Sequence, residues 1–173
     1  APAYEEGALE VLQSKKNRIL LEQLQPIESD WSYRSMLGGV LAQETDRAVE
    51  TKAEMKPVTK VAPTEGELED LVFATKLVKH SKSNAIVLAK GGQLIASGVG
   101  QTSRVDALKQ AIEKARHFGF ELQGAVLASD AFFPFDDCVT LAAEAGITAI
   151  AQPGGSVRDA DSLAAADAHG IAL

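Results

Sequence analysis

Short apolar runs alternate with segments of helical period from Asn84 onward, and this alternation constrains the fold more than any other feature of the chain. A Lys-Gly-Gly turn at 90–92 joins the first two runs as a hairpin. Strands that alternate with helices indicate an α/β fold whose mixed sheet is mainly parallel apart from that hairpin. The predicted strands are 84–89, 93–98, 125–128 and 147–151, and the predicted helices begin near Ser103, Asp136 and Asp159.

The first 63 residues carry weaker patterns. Thr64 and Glu67 form a capping box that begins a helix, so we divide the chain into an N-terminal segment, 1–63, and an α/β unit, 64–173. We expect that unit to be truncated at its C-terminus, because 170–173 reads as the beginning of a strand. In the N-terminal segment we predict a helix over 5–16, strands over 18–24 and 38–43, a turn-rich stretch over 26–34, and an irregular surface excursion over 44–63.

Composition limits the classes of function. A formal net charge of −7 argues against general binding of nucleic acid or of acidic membranes. No apolar run approaches the roughly 20 residues of a membrane span, and the first residues do not resemble a secretory signal. The single cysteine, Cys138, cannot form an intrachain disulfide. These features predict a cytoplasmic protein.

The predicted topology brings four unusual segments to one edge of the sheet. Ligands of open α/β sheets bind at the carboxyl ends of parallel strands. The connections 100–104, 130–137 and 152–157 leave such ends, and the hairpin places Asn84 beside them. The sequence therefore predicts a ligand site at this edge.

The loop over 129–137 holds three of the six phenylalanines together with three aspartates. Flat rings beside fixed carboxylates suit a heteroaromatic ligand with amine or amide hydrogens; alternatively the rings close the end of the core. Arg104 opens a helix, where the helix dipole disfavours a cation, so it either meets an anion or faces solvent. The Gln-Pro-Gly-Gly-Ser turn at 152–156 offers amides to an anion, or is a plain tight turn. Asn84 either contacts a ligand or caps a turn.

Two classes of site find little support. The three histidines are far apart, and neither a His-x-Glu nor a Cys-x-x-Cys pair occurs, so we predict no metal and exclude a zinc deaminase. The glycine pattern at 98–103 lacks its third glycine, which argues against a dinucleotide oxidoreductase. His80 lies four residues before Asn84 and is a further candidate for the edge.

Ordered motifs in the chain resemble those of the bifunctional purine-biosynthesis family that combines AICAR formyltransferase with IMP cyclohydrolase. The resemblance extends more weakly over the rest of the chain and implies the C-terminal part of the formyltransferase region. The motifs are VKHSKSNAIV at 78–87, GVGQTSR at 98–104, ASDAFFPF at 128–135, QPGGSVRD at 152–159 and AAADAHGIA at 164–172.

The resemblance implies a three-layer cytidine-deaminase-like fold without zinc, a homodimer with a composite active site, and transfer of a formyl group from 10-formyltetrahydrofolate to the AICAR amine. By motif position, Asn84 resembles an asparagine that contacts the carboxamide and supports catalysis. Arg104 and Phe132 resemble residues that bind the nucleotide. Asp137 resembles an aspartate that contacts the folate, and Ser156 with Val157 match the folate-side turn.

The chain departs from the family pattern in ways that affect activity. The family's principal proton acceptor belongs to another Lys-His pair, which lies upstream, whereas Lys79-His80 belongs to the second deaminase-like unit. Asp136 stands where arginine is more usual. We therefore expect the chain alone to be inactive, and a non-catalytic nucleotide- or folate-binding and dimerisation module is the alternative function.

Overall fold

The computed structural model describes residues 1–26 and 28–173. Its internal contacts divide the chain into two compact units, Ala1–Ala48 and Val49–Leu173. The turn-rich stretch predicted over 26–34 includes Ile27, which lies outside the described residues. The division at residue 63 into an N-terminal segment and an α/β unit stays a prediction.

The first unit contains helix α1 (Glu6–Gln13) and a hairpin of strands β1 (Trp31–Met36) and β2 (Gly39–Glu44), which pair antiparallel. The predicted helix over 5–16 is confirmed in a shorter form, and β2 confirms the strand predicted over 38–43. The strand predicted over 18–24 is wrong. That stretch has no ladder partner, and its backbone instead bonds to the N-terminus, where Gln23 N donates to the Ala1 carbonyl at 2.9 Å.

Strand β1 was not predicted, because serine and aspartate at 28–30 made its beginning read as a turn. The alternation Trp31-Ser-Tyr33 was the signal that could have revealed it. All residues of β1 and β2 are exposed, and α1 has no buried residue.

The second unit is built on a four-stranded sheet in the order β4-β3-β5-β6. Strand β3 lies antiparallel between β4 and β5, and β5 pairs parallel with β6. The mixed sheet is confirmed. Three of the four strands, β4, β5 and β6, run in the same direction, as expected for a mainly parallel sheet. The pairing differs from that expectation, because β3 lies antiparallel between β4 and β5 and only β5 and β6 pair parallel. The strand bounds are β3 Ile86–Lys90, β4 Gln93–Gly98, β5 Val126–Ser129 and β6 Ala149–Ala151.

The predicted helices are confirmed as α2 (Glu65–Lys79), α3 (Arg104–His117), α4 (Asp137–Ala145) and α5 (Asp159–His169). The capping box is present, because Thr64 Oγ1 accepts from Glu67 N while the Glu67 carboxylate accepts from Thr64 N. Residues 170–173 contribute one parallel bridge, from Ala172 to Ala149, in place of the predicted strand.

Alternate residues of the sheet pack into two apolar clusters. One cluster joins Val87 and Val126 to α2, and the other joins Leu88 and Leu127 to α3, α4 and α5. The strands β3 and β5 are buried almost throughout, which is why they read as continuous apolar runs. In the ranges 1–26 and 28–173, no helix is long and apolar enough to cross a membrane.

Candidate functional site

The segments predicted to converge do meet at one edge of the second unit's sheet. Strands β4, β5 and β6 end there, and β3 begins there. Asn84 and Gln101 exchange two backbone hydrogen bonds of 3.3 Å, which join the start of β3 to the loop after β4. Asp130 N donates to the Ala85 carbonyl at 3.3 Å, which adds the loop after β5. We call this set of segments the strand-end edge.

Arg104 lies in the first turn of α3 and turns its guanidinium toward the end of β5. Its Nε donates to Ser129 Oγ at 2.9 Å, and its Nη2 donates to Asp130 Oδ1 at 2.9 Å. Both side chains of the Arg104–Asp130 ion pair are only 10% exposed. Arg104 therefore does not face open solvent. It meets an anion, and this anion is a carboxylate of the protein itself.

Asp130 is the residue that the sequence interpretation missed. Besides Arg104, its carboxylate accepts from Ser83 Oγ and, at 3.0 Å, from Ala85 N. One carboxylate thus connects α3, the start of β3 and the end of β5. Its place directly after a buried strand was the only signal in the sequence.

Asn84 is half-buried between two residues that Asp130 holds. Its Nδ2 donates to the Gln101 carbonyl at 2.9 Å, and the peptide bond from Ser83 to Asn84 is cis. The backbone and the side-chain amide of Asn84 therefore both bind the loop after β4. The Asn84 Oδ1 is an acceptor at the strand-end edge.

The three phenylalanines of the loop after β5 do not share one role: one ring closes the end of the core, and the other two are partly exposed. Phe133 is fully buried and belongs to the core, so for this ring the loop does close the end of the core. Phe132 is 41% exposed and Phe135 is 48% exposed. The guanidinium carbon of Arg158 lies 5.0 Å from the centre of the Phe135 ring, within the range of a cation–π contact. Phe132 thus remains a flat, partly exposed ring for a ligand.

A side-chain contact connects the loop after β5 to the loop after β6. The Gln152 Oε1 accepts from Phe133 N at 2.6 Å. The cation–π contact of Arg158 with Phe135 joins the same two loops a second time. These contacts bring the turn over 152–157 to the strand-end edge.

Two amides of that turn, which we predicted to be free, are already bound. The carboxylate of Asp159, the first residue of α5, accepts from Gly155 N at 2.7 Å and from Ser156 N at 3.2 Å. An internal carboxylate therefore occupies the place at which we expected an anion to bind. Ser156 is half-buried, and the Val157 side chain is fully exposed.

Asp137 and His80 occupy less central positions. Asp137 is exposed in the first turn of α4, and its Oδ1 accepts from Cys138 N at 2.8 Å. Burial, together with the neighbouring Asp137 carboxylate, raises the pKa of the Cys138 thiol to about 12. His80 is an exposed residue at the C-terminal end of α2. The structure thus places His80 at the end of its helix rather than within the hydrogen-bond network of the strand-end edge.

A separate cavity of about 300 Å³ lies at the opposite end of the sheet. Gln123, Thr148 and His169 are among the residues that line it, so the cavity is distinct from the predicted site. In the part of the chain that the structure describes, no group of three or more His, Cys, Asp or Glu side chains is arranged to hold a metal ion.

Curated relatives match the whole chain. The bifunctional purine biosynthesis protein PurH of Bacteroides thetaiotaomicron is 60% identical over all of the chain and 34% of its own length. The proteins of the same name from Chlorobaculum parvum and Aquifex aeolicus are 50% and 49% identical, again over all of the chain and over 33% and 34% of their lengths. The chain thus spans about a third of the length of the curated relatives that it matches.

A solved structure from Thermotoga maritima, a diaminohydroxyphosphoribosylaminopyrimidine deaminase/5-amino-6-(5-phosphoribosylamino)uracil reductase, is 26% identical and covers 60% of this chain and 33% of its own. Its TM-score of 0.42 is too low to establish a common fold. The model of the AICARFT/IMPCHase bienzyme family matches residues 1–114. With that match and relatives that cover its full length, the chain belongs to the AICARFT/IMPCHase bienzyme family.

Proposed function

We propose that the chain forms part of an AICAR formyltransferase, which transfers a formyl group from 10-formyltetrahydrofolate to the amine of AICAR ribonucleotide in the synthesis of IMP. The parent protein would also carry IMP cyclohydrolase activity. The observation that carries this proposal is the strand-end edge, because Asn84, Arg104 and Phe132 lie on segments that come together there in a chain of this family.

The nucleotide is the ligand that these three residues suit. Asn84 offers an amide oxygen to the carboxamide N–H groups. Arg104 uses two of its five N–H donors for Ser129 and Asp130 in the described structure, and a guanidinium has further donors for a ligand oxygen. The exposed ring of Phe132 offers a face to the imidazole.

On the folate side we propose Asp137, Ser156 and Val157. Asp137 is exposed at the start of α4 and can accept a hydrogen bond from a pterin ring. The Asp159 carboxylate holds the amides of Gly155 and Ser156, which supports a preformed turn. The exposed Val157 offers an apolar contact next to that turn.

The reaction needs orientation more than strong acid or base. The AICAR amine is a weak nucleophile, because its lone pair is delocalised into the ring and the carboxamide. Its nitrogen bonds to the formyl carbon and the bond from that carbon to N10 of the folate breaks. The amine loses a proton and N10 gains one, so that the folate leaves as tetrahydrofolate. Asn84 fixes the carboxamide and thereby aligns the amine. Donors at the edge stabilise the oxyanion that develops on the formyl group. His80 and Asp137 are the candidates for proton transfer, and no metal is required.

We further propose a three-layer, cytidine-deaminase-like arrangement, a cytoplasmic location and a homodimer whose partner completes the active site. In this organisation residues 1–63 precede a deaminase-like unit over 64–173. The chain would correspond to the C-terminal part of the formyltransferase region and would be inactive alone.

A second candidate is a non-catalytic module that binds nucleotide or folate and supports dimerisation. It is favoured by the position of the one Lys-His pair in the chain, because His80 is exposed at the end of α2. Because the chain would be inactive alone under either candidate, formyl transfer by the chain joined to the remaining segments of a full-length PurH relative separates the two. Tetrahydrofolate release from 10-formyltetrahydrofolate, measured by absorbance with AICAR ribonucleotide present, would support the enzyme.

Calorimetric titration with AICAR ribonucleotide and, separately, with a folate analogue tests the proposal. We expect Asn84→Ala and Phe132→Ala to weaken nucleotide binding. The matched control is Phe118→Ala, because Phe118 is 66% exposed at the far end of α3 and its loss should leave binding unchanged.

Equal binding by all variants would remove the site from the strand-end edge. If the folded chain binds neither ligand, the titration is repeated after the other two thirds of a full-length PurH relative are added. Restored binding would mean that those segments supply the missing affinity. Continued absence of binding would refute the proposed function.

A further inference from the structure

Asp130 connects the groups that we assign to nucleotide binding without itself being one of them. Its Oδ1 accepts from Arg104 Nη2 at 2.9 Å and from Ala85 N at 3.0 Å, and its Oδ2 accepts from Ser83 Oγ. Its backbone N–H donates to the Ala85 carbonyl. Both carboxylate oxygens of Asp130 therefore bind groups of the protein itself.

The same bonds determine the position of both neighbouring site residues. Ser83 and Ala85 flank Asn84 in the chain, so the Asp130 carboxylate holds Asn84 from both sides. Arg104 comes from a different element, α3, and is oriented by the same carboxylate. Besides the bonds between Asn84 and Gln101, one side chain from the loop after β5 thus supports the relative placement of Asn84 and Arg104.

The ion pair is better explained by orientation than by stability. Replacing a buried ion pair with apolar side chains of similar volume is often neutral or stabilising, so such a pair is weak evidence for a purely structural role. An arginine side chain loses much rotamer entropy when it binds a ligand. An arginine that is already fixed by Asp130 has lost that entropy before the ligand arrives, which favours binding.

We infer that Asp130 is a positioning residue of the nucleotide site, which holds Arg104 and Asn84 in the arrangement that binds AICAR ribonucleotide. The inference rests on the proposed function. Asp130 acts through its two neighbours, whereas Asn84 and Arg104 contact the ligand.

The variant that tests this role is Asp130→Asn. Asparagine has nearly the same volume and can still accept from Ala85 N, but it lacks the charge that pairs with Arg104. We expect nucleotide affinity to fall roughly 10- to 100-fold, the usual cost of losing a residue that orients a site residue.

Asp70→Asn is the matched control. Asp70 is also buried, at 9% exposure, and its carboxylate also accepts two backbone bonds, from Gly91 at 2.7 Å and from Gly92 at 2.6 Å. It lies at the opposite end of β3 and β4. We expect this variant to lose stability in a urea titration without any change in nucleotide affinity.

A double-mutant cycle with Arg104→Ala separates positioning from a general structural effect. If Asp130 acts through Arg104, Asp130→Asn should lower the affinity by a clearly smaller factor when Arg104 is already absent. Equal factors in both backgrounds, or an equal loss of affinity in the Asp70→Asn control, would overturn the inference.

A measurement without ligand keeps the inference separate from the proposed function. We expect the NMR signal of the Arg104 Nη2–H group that donates to Asp130 to move to the position of a free arginine in Asp130→Asn and to stay unchanged in Asp70→Asn. An unchanged signal in Asp130→Asn would overturn the positioning role even if the wild-type chain binds the nucleotide. A shifted signal in a protein that does not bind the nucleotide would refute the proposed function while Asp130 still orients Arg104.

Discussion

Gly98 is the position at which a single added methyl group should damage the fold most. It ends β4, beneath the first turns of α3. A Cβ built on Gly98 would lie 1.8 Å from the carbonyl oxygen of Ala107 and 2.7 Å from its carbonyl carbon. The glycine therefore allows the helix to approach the strand more closely than any side chain would permit.

The cost of Gly98→Ala follows from these distances. Real Cβ atoms essentially never approach other heavy atoms within 3.0 Å, so the Ala107 carbonyl would have to move by more than 1 Å. That carbonyl is backbone in a packed helix and cannot rotate away as a side chain would. Overpacking costs about 1–3 kcal/mol, and we expect the upper end, about 3 kcal/mol. For a chain of this length the melting temperature should fall by roughly 6–12 °C.

Gly66→Ala provides the matched control for this prediction. A Cβ at Gly66 meets nothing within 4 Å, and the residue lies in the first turn of α2. Alanine is the better helix former, so this variant should lose no stability and gain up to about 1 kcal/mol. Both variants and the wild type are compared by urea denaturation and by thermal unfolding followed by circular dichroism.

The result for Gly98→Ala is decisive in either direction. A variant that unfolds at the same urea concentration as the wild type would show that β4 and α3 do not approach as closely as described. The reasoning would also be refuted if Gly66→Ala lost as much stability as Gly98→Ala, because the effect would then belong to glycine replacement in general.

The other predictions concern side chains near the site and the cap of α2. Phe133→Ala should lower the free energy of unfolding by about 3–5 kcal/mol because the ring is fully buried. Phe132→Ala should cost much less, because that ring is 41% exposed. Similar losses in urea titrations would contradict the assigned positions of the two rings. The Cys138 thiol has its pKa raised to about 12 by burial and by Asp137, so its contribution to stability should be complete below its ordinary value near 9.0 and should be lost as the pH rises toward 12. In Cys138→Ala, stability should accordingly fall less steeply above pH 9.0 than in the wild type, and parallel curves would argue against the shift. Thr64→Ala should cost about 1 kcal/mol through loss of the capping box, while Thr102→Ala, at an exposed loop position, should be neutral in the same denaturation experiment.

Local patterns were sufficient to predict much of the second unit. Strands such as 125–128 are buried on both faces, so apolar side chains run without interruption and the strand is visible in a short window. The helix that begins after Thr64 was predictable because a capping box involves residues only three positions apart. The hairpin turn at 90–92 was also predictable from neighbouring residues, because a tight turn needs residues that adopt positive φ and its two glycines do so.

The predictions that failed did so for different reasons. The stretch over 18–24 has the composition of a strand, but a strand forms only where another strand can pair with it. The turn over 152–156 has the glycines of an anion site, yet Asp159 occupies its amides. The exposed hairpin of β1 and β2 presents no buried face, so its alternation was a weak signal.

In the second unit, local patterns predicted the order of helices and strands, the cap of α2, and the loops that lie at one edge of the sheet, because periodicity and capping act over a few residues. Packing was needed to show that β3 lies between β4 and β5, and that Asp130 binds Arg104, 26 residues away, together with Ser83. Which carboxylate pairs with which cation depends on the segments that packing brings together. Its place directly after a buried strand singles out Asp130 among the aspartates of its loop, but that place does not reveal which groups Asp130 binds.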